Sequence, residues 1–145
     1  MKPQALPRSA YGFHHRLTTR WADNDVYGHV NNALYYSFFD TTITAYLLQA
    51  QALGAADGDV RIYVVASDCA YFKAFSFPEI VESGLAVAAV GRTSVTWRIG
   101  LFGEGESEPR AQGRFVHVCI DRDSQTPRVW PAVWREAFER LRPPV

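Results

Sequence analysis

Sulfur is scarce in this chain, whose 145 residues include two cysteines and one methionine. Cys69 and Cys119 lie far apart and form no CxxC unit, which argues against a disulfide framework or a structural zinc site and suits a reducing cytoplasm. Net charge is missing too: fifteen basic and fifteen acidic side chains cancel. No electrostatic footprint for nucleic acid or an anionic membrane is therefore expected. No apolar run reaches the ~20 residues that span a bilayer. The amino terminus MKPQALPRSAYG lacks the apolar stretch of a secretory signal, so the expectation is a soluble cytoplasmic protein. A G-x-S-x-G elbow, a P-loop and a G-x-G-x-x-G turn are all absent, which removes the commonest serine-hydrolase and nucleotide-binding signatures.

What is present is a globular composition, 48% hydrophobic and 21% charged, at a length that fits one domain with a real core. Residues 1–12, with two prolines and no apolar periodicity, read as a flexible lead-in, and the single domain is expected over 13–145. A first strand is predicted over 13–21, with Phe13, Leu17 and Trp21 on one face. A polar loop follows, and Asn31 or Asn32 can cap a helix running from Ala33 to about Gln51. Its buried face is predicted to be Tyr35, Phe38, Phe39, Thr42, Ile43, Tyr46 and Leu47, with Gly54 as the stop. Four strands are then expected over 60–74, 80–90, 95–102 and 111–120. Within the third of these, Val95, Trp97, Ile99 and Leu101 alternate cleanly with Thr96, Arg98 and Gly100, so one sheet face is apolar. The aromatic helix is the only element long enough to cover it. A last amphipathic segment, 131–141, can bury Trp134, Phe138 and Leu141. The fold class is α+β: a five-stranded, antiparallel-dominated sheet around a long central helix, plus a short C-terminal helix.

The densest polar cluster, Asp23-Asn-Asp-Val-Tyr-Gly-His-Val-Asn-Asn32, ends where the buried helix begins. Helix starts carry unpaired N–H groups and partial positive charge, so they can polarise a carbonyl oxygen. A carboxylate beside such donors can attack an acyl carbon or activate a water. Asp25 is placed to do either. Thioesters suit this modest machinery, since a thiol with a pKa near ~8.5 leaves without strong acid assistance. On residue type alone the bland reading stays open, because Asp, Asn and Gly are common turn residues and Asp23, Asn31 or Asn32 read equally as simple caps. His29 divides in the same way between scaffold and catalyst. No second histidine stands at metal-ligand spacing, and no metal or cofactor is expected. Cys69 and Cys119 read as strand residues packed in the core. Asp40, among helix aromatics, is an outside candidate for a second site carboxylate.

At Arg20-Trp-Ala-Asp-Asn-Asp-Val-Tyr-Gly-His-Val-Asn-Asn-Ala-Leu-Tyr-Tyr36 the sequence resembles the hotdog-fold acyl-CoA thioesterases of the 4-hydroxybenzoyl-CoA thioesterase type, with their D-x-D-x-x-G-H-V-N-N pattern between a strand and a long helix. The similarity continues through the four later strands to Val129-Trp-Pro131. It implies hydrolysis of a CoA thioester to a carboxylic acid and free CoA, with Asp25 as nucleophile or general base. It also implies that the backbone N–H of Asn32 or its neighbour polarises the thioester carbonyl, with His29 assisting. Plant acyl-carrier-protein thioesterases share a similar motif, but where they have an asparagine this chain has Tyr27, so their fuller triad does not transfer. Tyr27 and Gly28, inside the motif, are expected to contact substrate. The turn holding Arg92, Thr93 and Ser94 is expected to contact the CoA phosphates, where a planar guanidinium can donate two parallel hydrogen bonds; Lys73 is a weaker candidate. On residue type alone that turn reads equally as a solvated hairpin. The resemblance further implies a homodimer joined edge to edge, or a homotetramer, with sites at subunit boundaries. Two other readings stand beside it: a non-catalytic acyl-CoA-binding hotdog protein, and an enoyl thioester hydratase.

Overall fold

Period-two hydrophobicity builds the sheet, and one uninterrupted apolar helix fills its concave side. The computed structural model describes residues 3–54 and 60–143. The elements are β1 (Phe13–Thr18), α1 (Leu34–Gln49), β2 (Val60–Tyr71), β3 (Ile80–Val90), β4 (Ser94–Gly103), β5 (Ala111–Asp121) and α2 (Ala132–Arg140), with short 3-10 turns at Arg8–Ala10 and Trp21–Asp23. The strands lie in the order β1-β3-β4-β5-β2, and every neighbouring pair is antiparallel. This is the architecture that the resemblance implies.

The seven helix positions predicted to face inward are the ones α1 buries. Phe39 is fully buried, worth about 1.5–3 kcal/mol of transfer free energy. Its ring meets Phe115 edge to face, with centroids 5.9 Å apart. Opposite it the strand has Gly113, where a Cβ would fall 2.4 Å from the Phe39 ring. Polar groups pin the same contact: the Thr42 hydroxyl donates to the Ser83 hydroxyl at 2.7 Å, and Ser83 donates on to the His15 carbonyl. At the far end of α1, Trp130, Trp134 and Phe138 close the core against Trp97, with the Trp97 and Phe138 rings 5.4 Å apart. The alternation in β4 holds, with Val95, Trp97, Ile99 and Leu101 all buried.

Several boundaries differ from expectation. Trp21 does not continue β1; it opens a 3-10 turn and is 75% exposed, because Asp23 folds back on Arg20 and ends the strand at Thr18. The helix cap is Ala33 rather than Asn31 or Asn32, and Asn31 instead accepts the Ala33 N–H in the preceding turn. The helix stops before Gly54, at Gln49, and Gln51 adopts φ 60. Strand β2 ends at Tyr71, where the N–H groups of Phe72 and Lys73 both turn to the Arg110 carbonyl. Bulges at Val64/Ala66 and Val87/Ala89 each insert an extra residue, switching which parity faces the helix and adding twist to the wrap.

The segment 3–12, expected as a flexible lead-in, packs along the convex face of the sheet; residues 1 and 2 of that reading lie outside the described residues. Arg8 pairs with Glu82 at 3.1 Å and stacks over Phe102, Leu6 donates its N–H to Gln112, and Tyr11 is buried.

His117, on β5 facing α1, accepts the Trp97 indole N–H through Nδ1 at 2.9 Å, so its neutral form carries the proton on Nε2. Burial lowers its pKa, partly opposed by Asp40. A folded pKa below the unfolded value favours the neutral ring, so this contribution is full above the unfolded value near ~6.5 and fades as pH falls. The thermal midpoint should therefore drop on acidification from pH 7 to 5, and His117→Gln should flatten that drop in circular-dichroism melts. Gly113→Ala should cost about 1–3 kcal/mol in urea unfolding, because the Phe39 ring has nowhere to retreat.

Candidate active site

The loop between β1 and α1 gives its two aspartates different tasks. Asp23 is 3% exposed and spent on structure: its carboxylate takes the Arg20 backbone N–H at 2.7 Å and the Arg20 Nε at 2.9 Å. Asp25 sits two residues on, half-buried, at the start of a tight turn closed by Gly28 N–H to the Asp25 carbonyl at 3.0 Å. Gly28 has φ +81, a conformation glycine adopts without a Cβ penalty. The Asp25 Oδ1 accepts the N–H groups of Tyr27 at 2.8 Å and His29 at 3.4 Å. Its Oδ2 accepts no hydrogen bond among the described residues. One carboxylate oxygen is thus anchored and the other available.

That side chain lines a cavity of about 340 Å³ with His29, Val30, Asn32, Tyr35, Tyr71, Phe72, Lys73 and Ala74. The start of α1 forms one wall. The Ala33, Leu34 and Tyr35 N–H groups have acceptors, whereas the Asn32 N–H has none among the described residues. Such a donor, at the positive end of a helix and beside a carboxylate, can hold a polarised carbonyl oxygen. The aromatic wall is ordered by ring contacts, with Tyr35 5.0 Å from Tyr71 and 6.1 Å from Phe75. Burial pushes the Tyr35 and Tyr71 hydroxyls up, so both stay protonated near neutrality.

Of the residues expected to form the site, Asp25, His29, Asn32 and Lys73 converge on this cavity. Tyr27 and Gly28 do not line it; Tyr27 is 83% exposed on the outer side of the turn, beside Val26 at 93%. Arg92, Thr93 and Ser94 lie elsewhere altogether. They form the β3–β4 turn, at the opposite end of β4 from the cavity, and roughly ten strand residues at about 3.3 Å each put ~30 Å between the two. Trp130 holds that turn, donating its backbone N–H to the Arg92 carbonyl and its indole N–H to the Ser94 carbonyl. Within one chain, then, the expected phosphate contacts and the carboxylate are separated. Asp40 is exposed on the outer face of α1 and does not line the cavity. Cys119 is fully buried, and burial pushes the Cys69 thiol up to about 11, so neither is an activated nucleophile. Phe72 and Tyr71 escaped the sequence reading because they look like ordinary strand aromatics. Their one signal was an aromatic pair next to Lys73, where the strand pattern weakens.

Among the described residues no helix is long and apolar enough to cross a membrane, and no three His, Cys, Asp or Glu side chains are grouped to hold a metal ion.

Comparison with known proteins bears on the fold and the family. The chain is 43% identical to the PA5185 protein from Pseudomonas aeruginosa strain PAO1, whose crystal structure superposes with a TM-score of 0.91 over 96% of this chain and 97% of that one. It is 25% identical to the uncharacterized protein YsmA of Bacillus subtilis, over 93% of this chain and 90% of the relative. A DHNA-CoA thioesterase from Staphylococcus aureus shares the fold, at TM-score 0.75 and 20% identity over 88% of this chain and 89% of that one. The family model of the thioesterase superfamily matches residues 27–109, a stretch that begins two residues after Asp25 and runs through α1, β2, β3 and β4. On both sequence and architecture, the chain belongs to the thioesterase superfamily and has its hotdog fold.

Proposed function

We propose that the protein hydrolyses acyl-CoA thioesters in the cavity at the start of α1, with Asp25 as the catalytic carboxylate. One observation carries this reading: Asp25, with one carboxylate oxygen free of hydrogen bonds among the described residues, and Asn32, with an unpaired N–H, line the same cavity. The thioester carbonyl oxygen accepts the Asn32 N–H, which draws electron density from the acyl carbon. Asp25 then either takes a proton from a water that adds to that carbon, or adds to it directly and forms an anhydride that water cleaves. In both routes the C–S bond breaks, the thiolate leaves and takes up a proton, and the products are a carboxylic acid and free CoA. His29, on the same wall, is placed to hold the water or the departing sulfur. Lys73, at the rim, supplies positive charge toward an anionic ligand.

The remote Arg92, Thr93 and Ser94 fit this function only if a second copy brings its β3–β4 turn to the cavity. The outer edge of β2 supports a homodimer of this kind. It is an unpaired edge strand presenting Tyr63, Val64 and Val65, each between 45% and 60% exposed. Tyr27 and Gly28, on the outer side of the turn, then face the partner and the pantetheine arm.

Asp25→Asn keeps the Oδ1 acceptor and the turn while removing charge and basicity. Its kcat for acyl-CoA hydrolysis should fall by on the order of 10²–10⁴, followed by thiol trapping, with the melting temperature near wild type. Turnover close to wild type on several acyl-CoAs would refute the assignment. Arg92→Ala should raise KM on the order of tenfold for acyl-CoA and leave it unchanged for the matching N-acetylcysteamine thioester, which carries no phosphate. Equal effects on both substrates would remove Arg92 from phosphate recognition.

A further inference from the structure

A charged cluster outside the cavity centres on Arg110, immediately before β5, and the chemistry above leaves it without a role. Its side chain is 10% exposed. Nη1 lies 2.9 Å from Glu79 Oε2, and Nη2 lies 2.6 Å from Glu106 Oε2, with Nε donating to Glu106 Oε1 at 3.0 Å. Hydrogen bonds from Arg110 hold the Glu106 carboxyl below the usual carboxylate range. The same Nη1 donates to the Ala74 carbonyl at 3.0 Å, and the guanidinium lies 4.8 Å from the centre of the Phe75 ring. The Arg110 carbonyl accepts the N–H groups of Phe72 at 2.8 Å and Lys73 at 3.0 Å. One residue therefore grips the cavity wall at Phe72, Lys73 and Ala74 from both its backbone and its side chain.

That grip passes on to the Asp25 turn. The segment 72–79 touches the catalytic loop on both sides of the carboxylate. The Phe77 N–H donates to Asn24 Oδ1 at 3.0 Å, the Ser76 hydroxyl to the Gly28 carbonyl at 2.8 Å, and the Val30 N–H to the Phe75 carbonyl at 2.8 Å. Glu79, one partner of Arg110, also accepts the Ser76 N–H at 2.9 Å. We propose that Arg110 is a positioning residue of the active site: its planar fork sets the segment 72–79, and that segment sets the turn carrying Asp25. A lysine has one nitrogen in place of three, so it cannot reproduce the two-nitrogen grip on Glu106 together with the contacts to Glu79 and the Ala74 carbonyl. The catalytic consequence rests on the thioesterase reading; the geometric one does not.

Two measurements on Arg110→Lys test this. Hydrogen exchange should show the Val30 and Phe77 amides at least ~10-fold less protected, while those of Ile43 and Leu47 in α1 keep their protection. With an acyl-CoA substrate, kcat should fall on the order of 10- to 100-fold with KM within about threefold, as expected when a catalytic group is misplaced by an ångström or less. Glu79→Gln, at a half-exposed partner, should move both readouts the same way by less, and it decides the matter if the lysine variant does not fold. Unchanged protection at Val30 and Phe77, or a lowered melting temperature with wild-type kcat, would overturn the proposal. If the unmodified protein releases no thiol from acyl-CoAs, the thioesterase reading fails by itself, and exchange at Val30 and Phe77 still decides whether Arg110 positions the turn.

Discussion

Everything at the site depends on how tightly α1 seats in the concave face of the sheet. Phe39 occupies the space that a side chain at 113 would need, and Thr42 bonds Ser83 beneath it. Dense packing of this kind leaves few alternative placements, so the helix start is held by the core rather than by its own cap. Ala33 offers no side-chain cap, yet the Asn32 N–H is available where the cavity opens.

The pair Asp23 and Asp25 shows how one short motif divides its labour. Asp23 turns back on Arg20, ends β1 and stays buried, while Asp25 has one oxygen held by two backbone N–H groups. Anchoring at Oδ1 removes rotational freedom before any ligand arrives, which is how a single carboxylate can be aimed without a second acidic group nearby.

Much of this was legible in the residues. The helix face from Tyr35 to Leu47 and the alternation in β4 follow from period and burial alone, because those segments bury one face against one partner. Residues whose fate depends on contacts distant in sequence were not legible. Trp21 has the right parity for β1, but the Arg20 to Asp23 interaction ends the strand first. The bulges in β2 and β3 change parity with no local sign, since Val65 and Ala88 look like their neighbours. Residues 3–12 have no periodicity because they pack one at a time through Leu6, Arg8 and Tyr11. Asp25, His29 and Asn32 were readable together because the motif is short and contiguous. The distance between Lys73 and Arg92 was not, because it is set by the register of an entire antiparallel sheet.

Tyr11 lies over Gly84 and Gly100, which face each other across β3 and β4, and a Cβ at either would come within 2.8 Å of its ring. The groove is one aromatic ring wide. Positions 11 and 84 are therefore bound to drift together over evolutionary time: an alanine at 84 becomes tolerable only alongside a smaller residue at 11, whereas one at 100 also needs room from Phe102, whose ring lies 2.8 Å from the same Cβ. Lineages that shed the amino-terminal strap would in turn be released from keeping glycine at 84, while Phe102 would still constrain 100.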